Sequence, residues 1–253
     1  MPSAAIVGCT GLVVIALSRR VSLLLTFHQG SQILSTVLSL SIFDSIHIFS
    51  RRDPSSTSLK LHSTISPDTT TWPTSLTTLS PTPSIFFSAL GTTAKQAGGF
   101  ANQKKIDYDL NLSLAKAAKA SGVKVYVLIS TVGASPTSPW GPFLKMKGEL
   151  DEAIKEIGFE HTVFLRPGLL VGTREDSRPS EYVLRKVAGF VGMFSTGLKD
   201  AWAQDAEVIG RAAVAAGLQA LGGKEGKVPR VWEVLQADIV RLGRTEWKPV
   251  TES

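Results

Sequence analysis

Short apolar runs alternate along this chain with longer segments of helical period. Ala4–Gly8 is an apolar run closing on glycine, the form of a first parallel strand. Gly30–Leu40 carries Ile33, Leu34, Val37 and Leu38, a spacing that puts them on one helical face. Ile46–Ser50 predicts a second strand and Thr57–Ile65 a third, weaker one. Pro67–Ser84 is rich in Thr, Ser and Pro without periodicity, and predicts a surface loop rather than a core element. Ile85–Ala89 predicts a strand, with Gly91-Thr92-Thr93 as the loop at its end. Ile106–Ser121 predicts a helix with Leu110, Leu114, Ala117 and Ala118 on one side and Gly122 as its cap. Lys124–Thr131 predicts the next strand, and Pro142–Ile157 a helix stopped at Gly158. His161–Arg166 predicts a strand ending at Pro167-Gly168. Pro179–Gly192 and Gln204–Leu221 predict helices, Arg230–Leu235 a last short strand and Ala237–Leu242 a terminal helix.

Buried strands alternating with amphipathic helices define an α/β chain with a doubly wound, mostly parallel sheet covered on both faces. Right-handed crossovers then fix the general topology. The pattern predicts a single domain over residues 1–253, with no internal repeat. Ligands of such sheets sit outside the carboxyl ends of the strands, near the switch in strand order. The loops after the strands at Ala4–Gly8, Ile46–Ser50, Ile85–Ala89, Lys124–Thr131 and His161–Arg166 are therefore the places for chemistry.

The first of those loops carries half of a phosphate cradle. Gly8-Cys9-Thr10-Gly11 follows the first strand as a tight turn through which a pyrophosphate can approach the backbone. The third glycine of a dinucleotide fingerprint belongs at position 14, where Val14 stands, and the next match is Gly30. Val14–Gln29 separates them, sixteen residues with Arg19 and Arg20 amid apolar positions. This stretch either lengthens the first helix, by about 24 Å at ~1.5 Å per residue, or loops out while Gly30 keeps the third-glycine role. A third reading is that it stands outside the working protein, since joining Val13 to Gly30 gives an intact GxxGxxG.

The second strand ends in Ser50-Arg51-Arg52. A carboxylate at that edge binds a ribose 2′-hydroxyl, whereas a guanidinium pairs with a 2′-phosphate. Arg51, the first after the strand, thus favours NADP over NAD, with Asp53 close by as a counterweight. Leu90 and Gly91 lie where a sheet-end loop passes the adenosine, or form an ordinary glycine turn.

Composition narrows the function classes. Of 253 residues, 43% are hydrophobic and 19% charged, as in a globular chain. The net charge of +6 suits phosphate groups or an anionic membrane face, and equally an ordinary solvated surface. One cysteine, Cys9, excludes an intrachain disulfide and four-cysteine zinc sites, and with four histidines no metal site is expected. Nothing in the pattern points to a nucleic-acid partner. No apolar run reaches the length of a membrane span. Asp44 is the first acidic residue, after Arg19, Arg20 and several serines, a composition like that of a mitochondrial transit peptide. Cleavage would remove the first strand and its glycine turn, so any such signal is expected to be retained.

The segments GCTGLV, IFSRRDP, FFSALGTT, KIDYDLNLSLAKAAKASGVKVYVLIST, KMKGELDEAI and FLRPGLLVGTRE together resemble an atypical short-chain dehydrogenase/reductase. More closely, the chain resembles the fungal mitochondrial outer-membrane family related to the human Tat-interacting 30-kDa protein. The resemblance covers nearly all of the chain except Val14–Gln29. It implies a Rossmann-like fold, NADP as cofactor and peripheral attachment to the mitochondrial outer membrane, with a cytoplasmic location as the alternative; it implies no particular substrate.

In the wider reductase family a Ser orients the substrate carbonyl, a Tyr donates the proton, and a Lys four residues later lowers the Tyr pKa and holds the nicotinamide ribose. By this resemblance Ser130 is the serine and Lys147 the lysine. The tyrosine position holds Phe143, which has no exchangeable proton. Tyr126 lies within a strand, and Lys145 points to a different helix face from Lys147. Lys147 reads as a cofactor lysine or a solvated one; Ser130 reads as the family serine or as a hydroxyl satisfying a nearby backbone group. Arg166-Pro167-Gly168 resembles the family's turn beside the nicotinamide, placing Pro167 at the cofactor, and also serves plain chain reversal. Trp140 is a candidate ligand contact, and Val183–Phe194 a candidate membrane-surface or flap helix. The cofactor-binding set is Gly8, Thr10, Gly11, Gly30, Arg51, Leu90, Gly91, Lys147 and Pro167. Three functions follow: a cofactor-binding protein that has lost ordinary redox activity, a working NADP-dependent carbonyl reductase with a relayed proton, or a nucleotide-free scaffold for protein partners.

Overall fold

Seven parallel strands form the sheet that the alternation predicts. The computed structural model describes residues 2–10, 29–54, 56–171, 203–223 and 228–248. Within these, β1 (Ser3–Val7), α1 (Gln29–Ser39), β2 (Ser45–Ser50) and β3 (Leu61–Ile65) open the fold. There follow α2 (Trp72–Thr77), β4 (Ile85–Ser88), α3 (Ala94–Ala97), α4 (Phe100–Lys104), a π-helical segment Lys105–Leu110 and α5 (Asn111–Ala120). Then come β5 (Val125–Ile129), α6 (Pro142–Ile157), β6 (His161–Leu165), β7 (Leu169–Val171) and β8 (Ala203–Asp205). The last described elements are α7 (Ala206–Gly222), β9 (Val231–Val234), α8 (Gln236–Val240) and a π turn Arg241–Thr245.

The sheet order is β3-β2-β1-β4-β5-β6-β9, every neighbouring pair parallel. The chain runs outward from β1 to β3, then returns to place β4 on the other side of β1. The order therefore reverses between β1 and β4, and the carboxyl ends of those strands open the crevice where such sheets bind ligands. Two apolar layers flank the sheet, as strand alternation requires. Ala4 and Ile6 of β1 face a cluster with Ile33 and Val37 of α1 and Ile209, Ala213 and Ala216 of α7. Ala5 and Val7 face the other cluster, with Leu114 and Ala118 of α5 and Leu150 and Ile154 of α6.

The predicted loop Pro67–Ser84 is corrected. It contains α2, whose Trp72 and Leu76 are buried in the second apolar layer. Only two large apolar residues four apart carry this face, so Ser, Thr and Pro dominate the composition. The start of the segment is marked by Asp68, which accepts the Thr70 amide at 3.0 Å, and by Pro73 in the first turn. The predicted helix Ile106–Ser121 begins as a π-helical segment before α5, and is preceded by α3 and α4. Gln204 belongs to β8, not to the following helix, and the β7–β8 pair had no signal in the apolar pattern. By contrast α6 spans Pro142–Ile157 as predicted, closed by Gly158 at φ +74°. The predicted helix Pro179–Gly192, the segment Val183–Phe194 and residues 14–28 lie outside the described residues; Gln29 opens α1. Among the described residues no helix is long and apolar enough to cross a membrane.

α1 packs directly on the β1 turn through Gly30. A Cβ built there would land on the Gly8 carbonyl, with the Cys9 nitrogen 2.9 Å away. Gly30→Ala is therefore expected to cost about 1–3 kcal/mol of stability. Gly222→Ala, where a Cβ meets nothing within 4 Å, is expected to stay within about 0.5 kcal/mol. Urea unfolding of both variants checks the difference.

Candidate functional site

Three loops converge at the carboxyl ends of β1, β2 and β4. Gly8 has φ +83°, and a Cβ on it would lie 2.5 Å from the Ala89 carbonyl carbon and 2.8 Å from the Leu90 nitrogen. Only glycine meets both the backbone angle and the close approach of the β4 loop. Gly30 closes the other side of the turn, so the first-turn amides of α1, which have no intrahelical partner, open beside Gly8 and Cys9. Cys9 itself is buried, and burial pushes its thiol up to about 12, which keeps it protonated and unreactive.

The loops after β1 and β2 are tied by hydroxyls. Thr10 Oγ1 and Ser50 Oγ form a short hydrogen bond. Ser50 Oγ also receives the Arg52 amide at 3.1 Å and donates to the Arg52 carbonyl at 2.5 Å. This clasp fixes the backbone through Arg51, whose exposed side chain extends from the end of β2. Gly11 lies outside the described residues.

The β4 loop is strapped from the helical side by residues absent from the predicted site. Ser88 Oγ donates to Asn111 Oδ1 at 2.5 Å, and Asn111 Nδ2 donates to the Leu90 carbonyl at 3.3 Å. Asp107 accepts the Thr92 amide at 2.7 Å and Gln103 Nε2 at 3.3 Å, while Gln103 Nε2 also donates to the Thr92 carbonyl at 2.9 Å. All three side chains are buried. Their spacing of four was readable in the sequence as a polar row along a helix otherwise sided with leucine and alanine. Gly91 has room for a Cβ, 3.8 Å from the nearest Asp107 oxygen, so crowding does not demand glycine there.

Lys147 is buried, and its Nζ donates to the Ile129 carbonyl at 3.3 Å. The solvated reading of this lysine is thereby overturned. Burial pushes its pKa down, and the carboxylates of Asp107 and Asp151 pull it back up. Lys145 is exposed as its helix position predicts. Asp151, one turn beyond Lys147 on α6, is the central missed residue. Its two oxygens accept the Ser130 hydroxyl at 2.9 and 2.8 Å, and Oδ2 pairs with Arg166 Nη2 at 3.2 Å. Burial raises its pKa, opposed by the Ser130 bond and by the Lys147, Arg166 and Lys155 charges. Arg166 also donates through Nη1 to the Ala134 carbonyl at 2.9 Å and through Nη2 to Glu233 at 3.1 Å.

Ser130 therefore satisfies a carboxylate, not a backbone group, and its hydroxyl is turned into the protein. The next hydroxyl along, Thr131, is half-buried and makes a 3.4 Å contact with the Val132 carbonyl. Tyr126 is buried in a stack between Phe86 and Phe159, at 5.4 and 5.0 Å between ring centroids, and burial drives its phenol pKa far up. It offers no proton to the site. Pro167 accepts the Val132 amide at 3.1 Å, continuing the β5–β6 ladder into the turn. Phe143 is partly exposed on the first turn of α6.

The sheet order and the glycine-lined switch point define a parallel Rossmann-like α/β fold. MoeE5 in complex with UDP-glucose and NAD superposes with a TM-score of 0.61 at 13% identity, over 92% of this chain and 75% of that one. The Bordetella bronchiseptica enzyme WbmG in complex with NAD gives 0.57 at 17% identity, over 92% and 72%. UDP-glucose 4-epimerase of Thermotoga maritima gives 0.59 at 14%, over 99% and 85%. A family model described as HIM1 matches residues 54–191. The protein fmp52-1, mitochondrial, of Aspergillus terreus is 48% identical over 96% of this chain and all of its own length. The protein fmp52, mitochondrial, of Aspergillus clavatus is 47% identical over 96% and 99%. The chain belongs to this fmp52 family of fungal proteins.

Ser130→Ala would leave the buried Asp151 carboxylate short of a donor, an expected loss of about 1–3 kcal/mol at neutral pH. The bond favours the ionised carboxylate, so its contribution is present above the Asp151 pKa and fades as pH falls through it. Denaturant unfolding across that range should show the variant converging on the parent at acid pH, whereas Thr131→Val stays within about 0.5 kcal/mol throughout.

Proposed function

We propose that this chain binds NADP and sits peripherally on the mitochondrial outer membrane, without ordinary carbonyl reductase activity. The observation that carries the cofactor reading is the contact of Gly30 on Gly8: displaced by sixteen residues in sequence, it packs the helix start against the strand turn as a third glycine does. The residues fit the group. The turn of Gly8 and Thr10 with Gly30 would face the pyrophosphate, and Arg51 would offer a fork of donors for a 2′-phosphate. Leu90 and Gly91 would border the adenosine, while Lys147 and the Pro167 turn would border the nicotinamide ribose. When bound, the cofactor would supply hydride chemistry. NAD stands in the related folds MoeE5 and WbmG; the preference for NADP rests on Arg51. The mitochondrial assignment rests on the names of the Aspergillus relatives. The outer-membrane attachment rests on the family resemblance and the net charge of +6.

Loss of carbonyl reduction follows from Phe143. Lys147 keeps the burial and the carboxylates of an active lysine, but no phenol stands one turn before it to pass a proton. Titration with NADPH and NADH tests the reading: NADPH should bind, and Arg51→Ala should weaken it by about tenfold, the equivalent of ~1.4 kcal/mol, while changing NADH little. An equal effect on both cofactors removes Arg51 from the phosphate, and absence of binding points to the nucleotide-free scaffold. Phe143→Tyr should raise aldehyde turnover; robust turnover by the parent chain favours the carbonyl reductase. Carbonate washing of purified mitochondria should release the protein, and a wholly cytosolic signal contradicts membrane attachment.

A further inference from the structure

Three exposed apolar side chains lie on the connection that precedes the proposed cofactor lysine in the chain. Val132, Trp140 and Phe143 are 48%, 82% and 38% exposed, large apolar side chains on one connection from β5 into the first turn of α6. That connection is pinned. The Val132 amide reaches the Pro167 carbonyl at 3.1 Å, the Ser135 amide reaches the Leu144 carbonyl at 3.3 Å, and Arg166 holds the Ala134 carbonyl at 2.9 Å. A Cβ at Gly148, the residue after Lys147, would collide with the Ser135 backbone, so the loop is seated directly on α6. Residues 131–148 contain two lysines, Lys145 and Lys147, and no carboxylate.

We infer that this connection takes a planar, apolar, conjugated dicarbonyl, a quinone, as its ligand and hydride acceptor; the inference rests on the cofactor reading above. Indole and phenyl faces suit a flat electron-poor ring. The missing proton donor selects the same class. A saturated ketone that takes a hydride becomes a strongly basic alkoxide and needs an acid in the transition state. A quinone that takes a hydride becomes a hydroquinone monoanion, a delocalised phenolate whose conjugate acid has a pKa near ~10 like that of tyrosine. No acid from the protein is needed. The ring gains two electrons and one hydrogen as hydride from the reduced nicotinamide, which is left oxidised, and water then gives the second proton. The Thr131 hydroxyl, half-buried at the head of the connection with a 3.4 Å contact to the Val132 carbonyl, can turn to the developing negative charge.

The test separates ligand binding from turnover. Menadione is measured by equilibrium dialysis against the cofactor-free protein and its Trp140→Leu variant, and NADPH oxidation is followed with menadione or cyclohexanone. Menadione should bind, Trp140→Leu should weaken it by about tenfold as stacking area is lost, and NADPH affinity should stay unchanged. Menadione should be reduced and cyclohexanone not; Phe143→Tyr should raise cyclohexanone turnover. NADPH binding without menadione binding or turnover overturns the quinone inference and leaves the cofactor reading standing. Equal menadione affinity in Trp140→Leu also overturns it. So does a Trp140→Leu effect confined to sedimentation with phosphatidylcholine–phosphatidylinositol vesicles or to self-association, which would give the patch to a bilayer or to a second copy. Failure of NADPH binding together with retained, Trp140-dependent menadione binding sinks the cofactor reading instead.

Discussion

The contact between two glycines sets the geometry of the crevice. Gly8 ends β1 with a backbone angle that L side chains avoid, and its carbonyl occupies the space that any Cβ at Gly30 would need. On its other side the same residue touches the Ala89 and Leu90 backbone. Three segments distant in sequence, the first turn, the start of α1 and the β4 loop, are thus held at main-chain separation with no side chain between them. That separation brings the start of α1 to the switch point of the sheet. A methyl group at either glycine would wedge the layers apart, and the ends of β1 and β4 would no longer frame one crevice.

Around this point the polar interior is organised by competition between desolvation and pairing. Lys147, Asp107 and Asp151 are all buried, which by itself disfavours each charge. Asp151 is supported by Ser130 and Arg166, Asp107 by the Thr92 amide and Gln103, and Lys147 by the Ile129 carbonyl and the two carboxylates. Burial still wins in direction, raising Asp151 and lowering Lys147. The network contributes position more than stability. It holds the β4 loop, the end of β5 and the start of the β6 turn to one helix pair, leaving the backbone of each loop directed at the crevice.

The fold was legible because it is written in long periodic signals. α6 and the order of buried strands followed from apolar spacing and from the glycines that stop each helix. α2 was missed because two buried residues, Trp72 and Leu76, carry its whole face amid Ser and Thr. Glycine and charge singled out Gly8, Gly30 and Lys147 in the sequence, and the fold brings the two glycines together and buries the lysine. The supporting residues Gln103, Asp107, Asn111 and Asp151 were missed for a different reason. Polar residues on a helix are assumed to face water, and only the packing shows that these four turn inward. Ser130 illustrates the same limit: its strand-end position was visible, but the partner that captures its hydroxyl lies twenty-one residues away on another element.

The scaffold around Phe143 has a physical reading. If Phe143 merely recorded decay, the buried charges beside it would be costly remnants, each better replaced by an apolar group of similar volume. Instead Lys147 remains buried between two carboxylates, and Gly148 keeps the helix close enough to the Ser135 backbone to hold the connection that presents Trp140. On the proposed reading, a nucleotide would be held beside this lysine with no phenol one turn before it. On that reading, such a site would suit a ligand that needs positioning but no proton from the protein.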